Sequence, residues 1–233
     1  MEQTLKITNV LSDPTRYYIY QYITKRHSEV TVQEIADEFK IHPNVARLHL
    51  SKLEDVNMLV SEAKKTGKGG RPSRLYRLSD DVVQLFFPFR DYQLLAKVAI
   101  QSMMKLGEAG KEALFDTGKA FGQEIIDSQL HPNDTQTTAL SFEHKLKILK
   151  DSATTLGFHP EFEHNEDKTI IFFQIFNCPF KELADKHTDA ICGMHYAFLH
   201  GMFEVLFNNV KLIEKDNIIH GCDSCSYQVK VTN

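Results

Sequence analysis

The chain has 233 residues, 42% hydrophobic and 25% charged, with a formal net charge of −4. This is the composition of an ordinary globular protein, long enough for one large domain or two modest ones. No uninterrupted apolar run approaches the roughly 18 residues of a membrane span, and Met1-Glu2-Gln3-Thr4-Leu5-Lys6 lacks the layout of a signal peptide, so a cytoplasmic protein with no membrane partner is expected.

Charge is divided unevenly. Residues 1–80 carry 13 Lys and Arg against 10 Asp and Glu, a net of +3, and the remainder carries 14 against 21, a net of −7. A basic end on an acidic chain predicts a nucleic-acid-binding module joined to a separate acidic one.

Ser12-Asp13-Pro14 opens the first clear helix, with Asp13 as N-cap and Pro14 at the first helical position. Ile19, Tyr22 and Ile23 recur at helical spacing to about Thr24. Thr31 and Glu34 make a capping-box pattern ahead of a short second helix with the apolar stripe Ile35, Ala36 and Phe39. Lys40-Ile41-His42 is a turn, and Pro43 starts a third helix predicted to run to about Asp55. Ala46, Leu50 and Leu53 fall on one face of it, with His49 beside them, and Asn44, Arg47, Leu48 and Ser51 fall on the other. Asn57 follows where a left-handed residue is expected.

Residues 59–63 and 74–78 read as strands joined by a long glycine-rich hairpin loop, 64–73. Residues 82–130 read as helical, and Gly107, Gly110, Gly118 and Gly122 divide them into two or three helices. Residues 131–138 are polar, contain Pro132 and read as a linker. A helix over 141–156 has Phe142, Leu146 and Leu149 in register and ends at Gly157. Strands over 158–163 and 169–176 flank an Asn165-Glu166-Asp167-Lys168 turn, a strong helix covers 189–210, and a last strand covers 227–231. The predicted fold class is α+β: a winged helix-turn-helix over 1–80, a helical dimerisation or linker segment over 81–135, and an α/β sensor domain over 136–233.

Residues 1–80 meet two physical requirements of DNA recognition. Reading bases needs a helix that enters the major groove with small or polar side chains outward, and Asn44, Arg47 and Ser51 fit, with Arg47 suited to bidentate contact with guanine. Affinity needs cations against phosphates. Segment 64–77 holds Lys64, Lys65, Lys68, Arg71, Arg74 and Arg77 and no acid, and its glycines let backbone approach a duplex closely. A solvated surface hairpin is the plainer alternative for such a run, but its place just after a helix-turn-helix pattern favours DNA.

Leu11-Ser12-Asp13-Pro14-Thr15-Arg16 resembles the opening of ArsR-type winged-helix regulators, and Val45-Ala46-Arg47-Leu48-His49-Leu50, then Leu53, resembles their recognition helix. The stretch from Gly70 through Arg71-Pro72-Ser73-Arg74-Leu75-Tyr76-Arg77-Leu78 resembles the wing of a narrower group containing the SufR-type iron–sulfur regulators. A double-stranded operator is the implied partner, and operator palindromes imply a homodimer, with the helices of 82–130 in its interface.

The four cysteines lie late and close, as Cys178-x13-Cys192-x29-Cys222-x2-Cys225. Four thiolates suit zinc or an iron–sulfur cluster. The spacing is neither the paired CxxC of a zinc ribbon nor a ferredoxin run, so zinc remains an alternative, as do four small buried apolar residues. Cys192 begins a long helix, whose dipole favours thiolate, and Gly221-Cys222-Asp223-Ser224-Cys225 is a loop able to wrap a cluster. Asn177-Cys178-Pro179-Phe180, Cys192-x2-His195 and the terminal cysteine loop resemble the sensor domain of SufR-like regulators. That resemblance implies a [4Fe–4S] cluster on Cys178, Cys192, Cys222 and Cys225, and a repressor.

His195 shares a helix face with Cys192 and is a candidate ligand or a partner of one, although a hydrogen-bonded or exposed histidine is the more ordinary reading. Phe172, Phe173, Phe176, Phe198, Phe203 and Phe207 read as core. No phosphate-cradling loop, GxSxG or HExxH is present, so an enzyme is not expected. A module sensing a small organic ligand is the remaining alternative for the C-terminal part.

Overall fold

Asp13 and Thr31 are the first organisers of the chain. Asp13 accepts from the Arg16 backbone N–H at 3.1 Å ahead of Pro14. Thr31 and Glu34 form both halves of a capping box, at 3.1 and 2.6 Å. The computed structural model describes residues 2–64, 73–85, 87–130 and 140–232, and these fall into two units, Met1–Arg90 and Asp91–Asn233.

The first unit runs α1 Glu2–Leu11, α2 Pro14–Arg26, β1 Val30–Thr31, α3 Val32–Phe39, α4 Pro43–Glu54, β2 Leu59–Lys64 and β3 Ser73–Leu78. Its sheet has the order β1-β3-β2, antiparallel throughout, with Val30 opposite Tyr76 and Leu59 opposite Leu78. Ile19, Ile35, Leu50, Leu53, Leu59 and Tyr76 are fully buried together. Asn57 takes the expected left-handed turn, φ 59°. The sequence reading has no counterpart of α1. That helix lacks a capping signal and is held instead by burying Ile7 and Val10 in the same core.

The second unit runs α5 Tyr92–Lys105, α6 Glu108–Gln129, α7 Phe142–Thr155, β4 Pro160–His164, β5 Ile170–Ile175, α8 Lys181–Ala184, α9 Thr188–Phe207, β6 Asn209–Asp216 and β7 Cys225–Thr232. Its antiparallel sheet has the order β4-β5-β7-β6. Ile171, Phe173 and Ile175 of β5 and Tyr227 and Val229 of β7 face a core shared with Phe198, Met202 and Phe203 of α9. Phe172 points the other way and is 45% exposed, so it is not a core residue as its composition implied.

Three sequence expectations shift here. Helix does not begin at 82: Pro88 biases the residue before it away from helical backbone, and α5 starts at Tyr92. Of the four glycines, only Gly107 breaks a helix, at φ 64°; Gly118 and Gly122 lie inside α6 and face α9. Helices α5 and α6 belong to the same unit as the cysteine-bearing sheet. The helix expected over 189–210 ends at Phe207, because Asn208 takes φ 58° and Val210 enters β6. The expected linker, 131–138, lies outside the described residues.

By length and apolar content α9 matches a membrane span, at 20 residues, but 61% of that window is buried inside the fold, as in a core helix.

Candidate functional site: an outward helix and a thiol centre

In the first unit, α4 divides as its sequence requires. Ala46, Leu50 and Leu53 are buried, and Asn44 and Arg47 are exposed, with Ser51 half-buried. Arg47 donates to the Asn44 side-chain oxygen at 3.4 Å, which aligns the two polar groups on the outer face. Val45 and Leu48 stand beside them at 41% and 55% exposure. These apolar side chains are suited to thymine methyl groups; Leu48 was on the expected outer face, and Val45 was not.

The Leu11–Arg16 stretch works below this surface. Arg16 donates to the Val10 carbonyl at 2.8 Å and lies 3.5 Å from Asp13. His49 on α4 approaches Asp13 at 3.8 Å, beyond hydrogen-bond distance. The Arg16 N–H, with His49 and Arg16 nearby, holds the Asp13 carboxyl below its usual range, and burial pushes His49 down. These contacts tie the start of α2 to α4.

The wing cations divide. Arg74 pairs with Glu54 at 3.4 Å and lies over the Tyr76 ring at 5.9 Å, while Ser61 donates to the same carboxylate at 2.6 Å. Arg74 is thus engaged with the end of α4 as well as half-exposed. Arg77 pairs with Asp80 at 3.1 Å. Lys64 closes β2; Lys65, Lys68 and Arg71 lie outside the described residues. Arg47→Ala should cost about 1–3 kcal/mol at one base position, read by titrating single-base operator variants. A loss uniform across sequences would reassign Arg47 to phosphate contact.

In the second unit, Cys178 follows β5, Cys192 lies in the second turn of α9 and Cys225 begins β7. Cys178 and Cys225 are buried, Cys192 is half-buried, and Cys222 is exposed on the turn before β7. Cys178, Cys192 and Cys225 lie close enough to disfavour one another's ionisation, Cys225 acting on Cys178 and Cys192 on both. Asn217 links their surroundings. Its side-chain amide donates to the Cys192 sulfur at 3.6 Å and to Glu214 at 2.6 Å, its oxygen accepts from Ile219 N–H at 2.8 Å, and the neighbouring Ile218 N–H donates to the Cys225 sulfur at 3.4 Å.

Burial dominates the acid–base behaviour of these thiols. It pushes Cys178 up to about 11 and raises Cys192 and Cys225, against the opposing N–H donors. At Cys192, burial and the carboxylates of Glu214 and Asp189 work against the thiolate that the start of a helix favours. Tyr227, on the same face of β7 as Cys225, is raised by burial and then by that cysteine. Among the described residues no three His, Cys, Asp or Glu side chains stand close enough to hold one metal ion.

His195 faces the aromatic core. It is 3% exposed, stacks on Phe158 at 5.0 Å, meets Phe180 edge-on at 5.6 Å, and its Nε2 has no hydrogen-bond partner among the described residues. Burial pushes it down to about 4. A groove of about 560 Å³ lies between α6 and α9, lined in part by Glu108, Glu112, Phe115, Asp189, Gly193 and Met194. Sequence reasoning missed Asn217 and Glu214, which lie in and beside an unread strand. Tyr227 opens the strand expected over 227–231, and its link to the cysteines was also missed; a period of two carried back to Cys225 would have found it.

The model of a helix-turn-helix domain family, ArsR-like in kind, matches residues 11–62. The match supports a winged-helix, DNA-binding regulator and points away from an enzyme. No curated protein matches the chain. Among solved structures, the chain is similar to a trafficking protein particle complex subunit 3 from Naegleria fowleri covalently bound to palmitic acid, with TM-score 0.42 and 19% identity over 60% of this chain and 94% of that one. It is also similar to the phenol-responsive sensory domain of the transcription activator PoxR with phenol, with TM-score 0.44 and 14% identity over 79% of this chain and 89% of that one.

Proposed function

We propose that this chain is a homodimeric transcriptional repressor whose C-terminal unit senses iron–sulfur or redox status through a [4Fe–4S] cluster. The observation that carries the reading is the pairing of an outward polar face on α4, within a helix-turn-helix, with thiols of the second unit that meet the same short segment, Cys192 accepting from Asn217 and the buried Cys225 from Ile218. Asn44, Arg47 and Ser51 read base edges. Lys64, Lys65, Lys68, Arg71 and Arg74 meet phosphates.

The donor set suits the group: soft sulfur ligands, two of them already accepting N–H hydrogen bonds from Asn217 and Ile218. Cys178, Cys192 and Cys225 would hold it once drawn together from their present separation, with Cys222 on the adjoining turn as fourth donor. When bound it supplies one-electron and oxygen-sensitive chemistry. The chain's own part is mechanical. Cys192 sits on α9, which packs along α6, so ligation that shifts α9 biases the position of both helices. A state that binds operator better must gain through such differential contacts.

Anaerobic purification tests the reading. Iron and acid-labile sulfide in equal amounts with a visible absorption band, lost in Cys178→Ser, is the expected result. Zinc with no colour would replace the cluster with a zinc site on the same thiols. Absence of all three would overturn thiol-based metal sensing. A second reading, an organic effector, is favoured by the groove between α6 and α9, whose volume of about 560 Å³ suits a small molecule; operator release by an organic ligand in a cysteine-free variant would establish it.

A further inference from the structure

Helix α5 is apolar on two opposite faces, and the fold uses only one. Ile100 is buried on the inner side with Ala184 and Ile191. On an ideal helix the residues within about 60° of Val98 are Asp91, Leu94, Leu95, Val98, Gln101, Ser102 and Lys105, and all of them are exposed. Leu94, Leu95 and Val98 stand 56%, 64% and 54% exposed side by side. A solvated helix face carries charge along its length. This one carries charge only at its two ends, acid before the first turn and base in the last. The Asp91 carboxylate caps the helix, one oxygen accepting from Leu94 N–H at 2.7 Å, and neither it nor Lys105 has an ion-pair partner among the described residues.

We propose that this face pairs antiparallel with the same face of a second copy of the chain, about a two-fold axis at Val98. The proposal rests on the homodimeric reading above for its occupant and adds the surface, direction and register. Charge decides the direction. With Val98 on the axis, Asp91 of each copy lies opposite Lys105 of the other, so both ends of the seam close on opposite charges. Leu94 then packs over Ser102, and Leu95 over Gln101, a large residue against a smaller or flexible one at each level. A parallel pair would set Asp91 beside Asp91 and Lys105 beside Lys105, and would align the two helix dipoles. The 14 residues of α5 span about 21 Å, so the seam alone lies at the small end of specific interfaces and gives a weak dimer. Two recognition helices on one operator would then strengthen binding by linkage.

Cysteine cross-linking of the full-length protein tests the seam, in a Cys222→Ser background to remove the exposed thiol. Under mild oxidation Val98→Cys should give covalent dimer. Leu94→Cys alone should not, because the two copies of that position stand about 12 Å apart along the axis. An equimolar mixture of Leu94→Cys and Ser102→Cys proteins should form the mixed dimer. Cross-linking of Leu94→Cys alone, or no cross-linking at Val98→Cys, overturns the proposal. As a second measurement, Val98→Glu should raise the dimer dissociation constant by at least about ten-fold in sedimentation, with an unchanged melting curve at concentrations where both proteins are monomeric, since Val98 is exposed in the fold; unchanged association overturns it. A dimer without these cross-links would leave the homodimeric reading standing and remove the seam. Cross-links in a protein that does not bind DNA would leave the seam standing and remove the reading of the chain as a DNA-binding regulator.

Discussion

Gly122→Ala should lower the stability of the second unit by about 2 kcal/mol. A Cβ at Gly122 would fall well inside contact distance of the Phe198 carbonyl oxygen, 2.9 Å from its carbon and 3.2 Å from the Met202 nitrogen. One helical turn away on α6, a Cβ at Gly118 would meet the Met194 carbonyl at 2.6 Å, and from α9 a Cβ at Gly201 would strike the Lys119 carbonyl. These obstacles are backbone, so no rotamer change relieves them and the helices must part. Alanine gains about 1 kcal/mol in helix propensity. Overpacking of a tight interface costs up to about 3 kcal/mol, and separation also strains the Lys119–Glu204 ion pair at 2.9 Å and the Gln123–Glu204 hydrogen bond at 2.9 Å. The loss wins. Gly193→Ala is the control: among the described residues, no atom beyond its own stretch of helix lies within 4 Å of its Cβ, so it should stabilise by up to about 1 kcal/mol. Urea midpoints of the two variants check this, and equal midpoints would show that α6 and α9 do not cross at backbone distance.

Mild acid should destabilise the same unit through one residue. An unfolded chain protonates His195 as pH falls through 6.5, whereas the folded protein resists until about 4. The unfolded state therefore binds more protons across that window, and stability rises with pH. The contribution is complete above about pH 6.5 and is lost as pH falls toward 4, up to about 3 kcal/mol by linkage. His195→Phe should remove this slope, because a phenyl ring fits the same place between Phe158 and Phe180 and leaves no unpaired Nε2. It should also be neutral or stabilising at pH 7, since it replaces an unsatisfied buried polar atom. Denaturation of the metal-free wild type and variant between about pH 7 and pH 5 measures the difference. Parallel pH profiles would mean that His195 is solvated or paired.

Much of the first unit was legible because its signals are local. A cap acts over three residues, as at Asp13 and Thr31, and a recognition helix shows its two faces within two turns, as Leu50 and Arg47 do. The hairpin turn at Asn165–Lys168 was legible for the same reason: the Asn165 side chain accepts from Ile170 N–H at 2.9 Å within one loop. α1 was not, since without a cap only the distant core tells its apolar residues from a disordered start. β6 was not, because Leu212 is its one fully buried residue and the alternation is too faint to compete with the helix before it. For the candidate site, spacing identified the cysteines but not their arrangement. Nothing near Cys222 in sequence separates it from Cys225, three residues on and buried.

What the sequence by itself determined is the helix-turn-helix, the outward set Asn44, Arg47 and Ser51, and the basic character of the wing, all consequences of short-range backbone and side-chain chemistry. Only the tertiary structure decided that Arg74 leans on Glu54, that Gly118 and Gly122 are contact points rather than breaks, that His195 is buried among aromatic rings, and that Cys178 and Cys225 are buried while Cys222 is exposed. Those outcomes hang on contacts such as Lys119 with Glu204, 85 residues apart. Burial and electrostatics act through space, and a periodicity read over one or two turns carries no information across that distance.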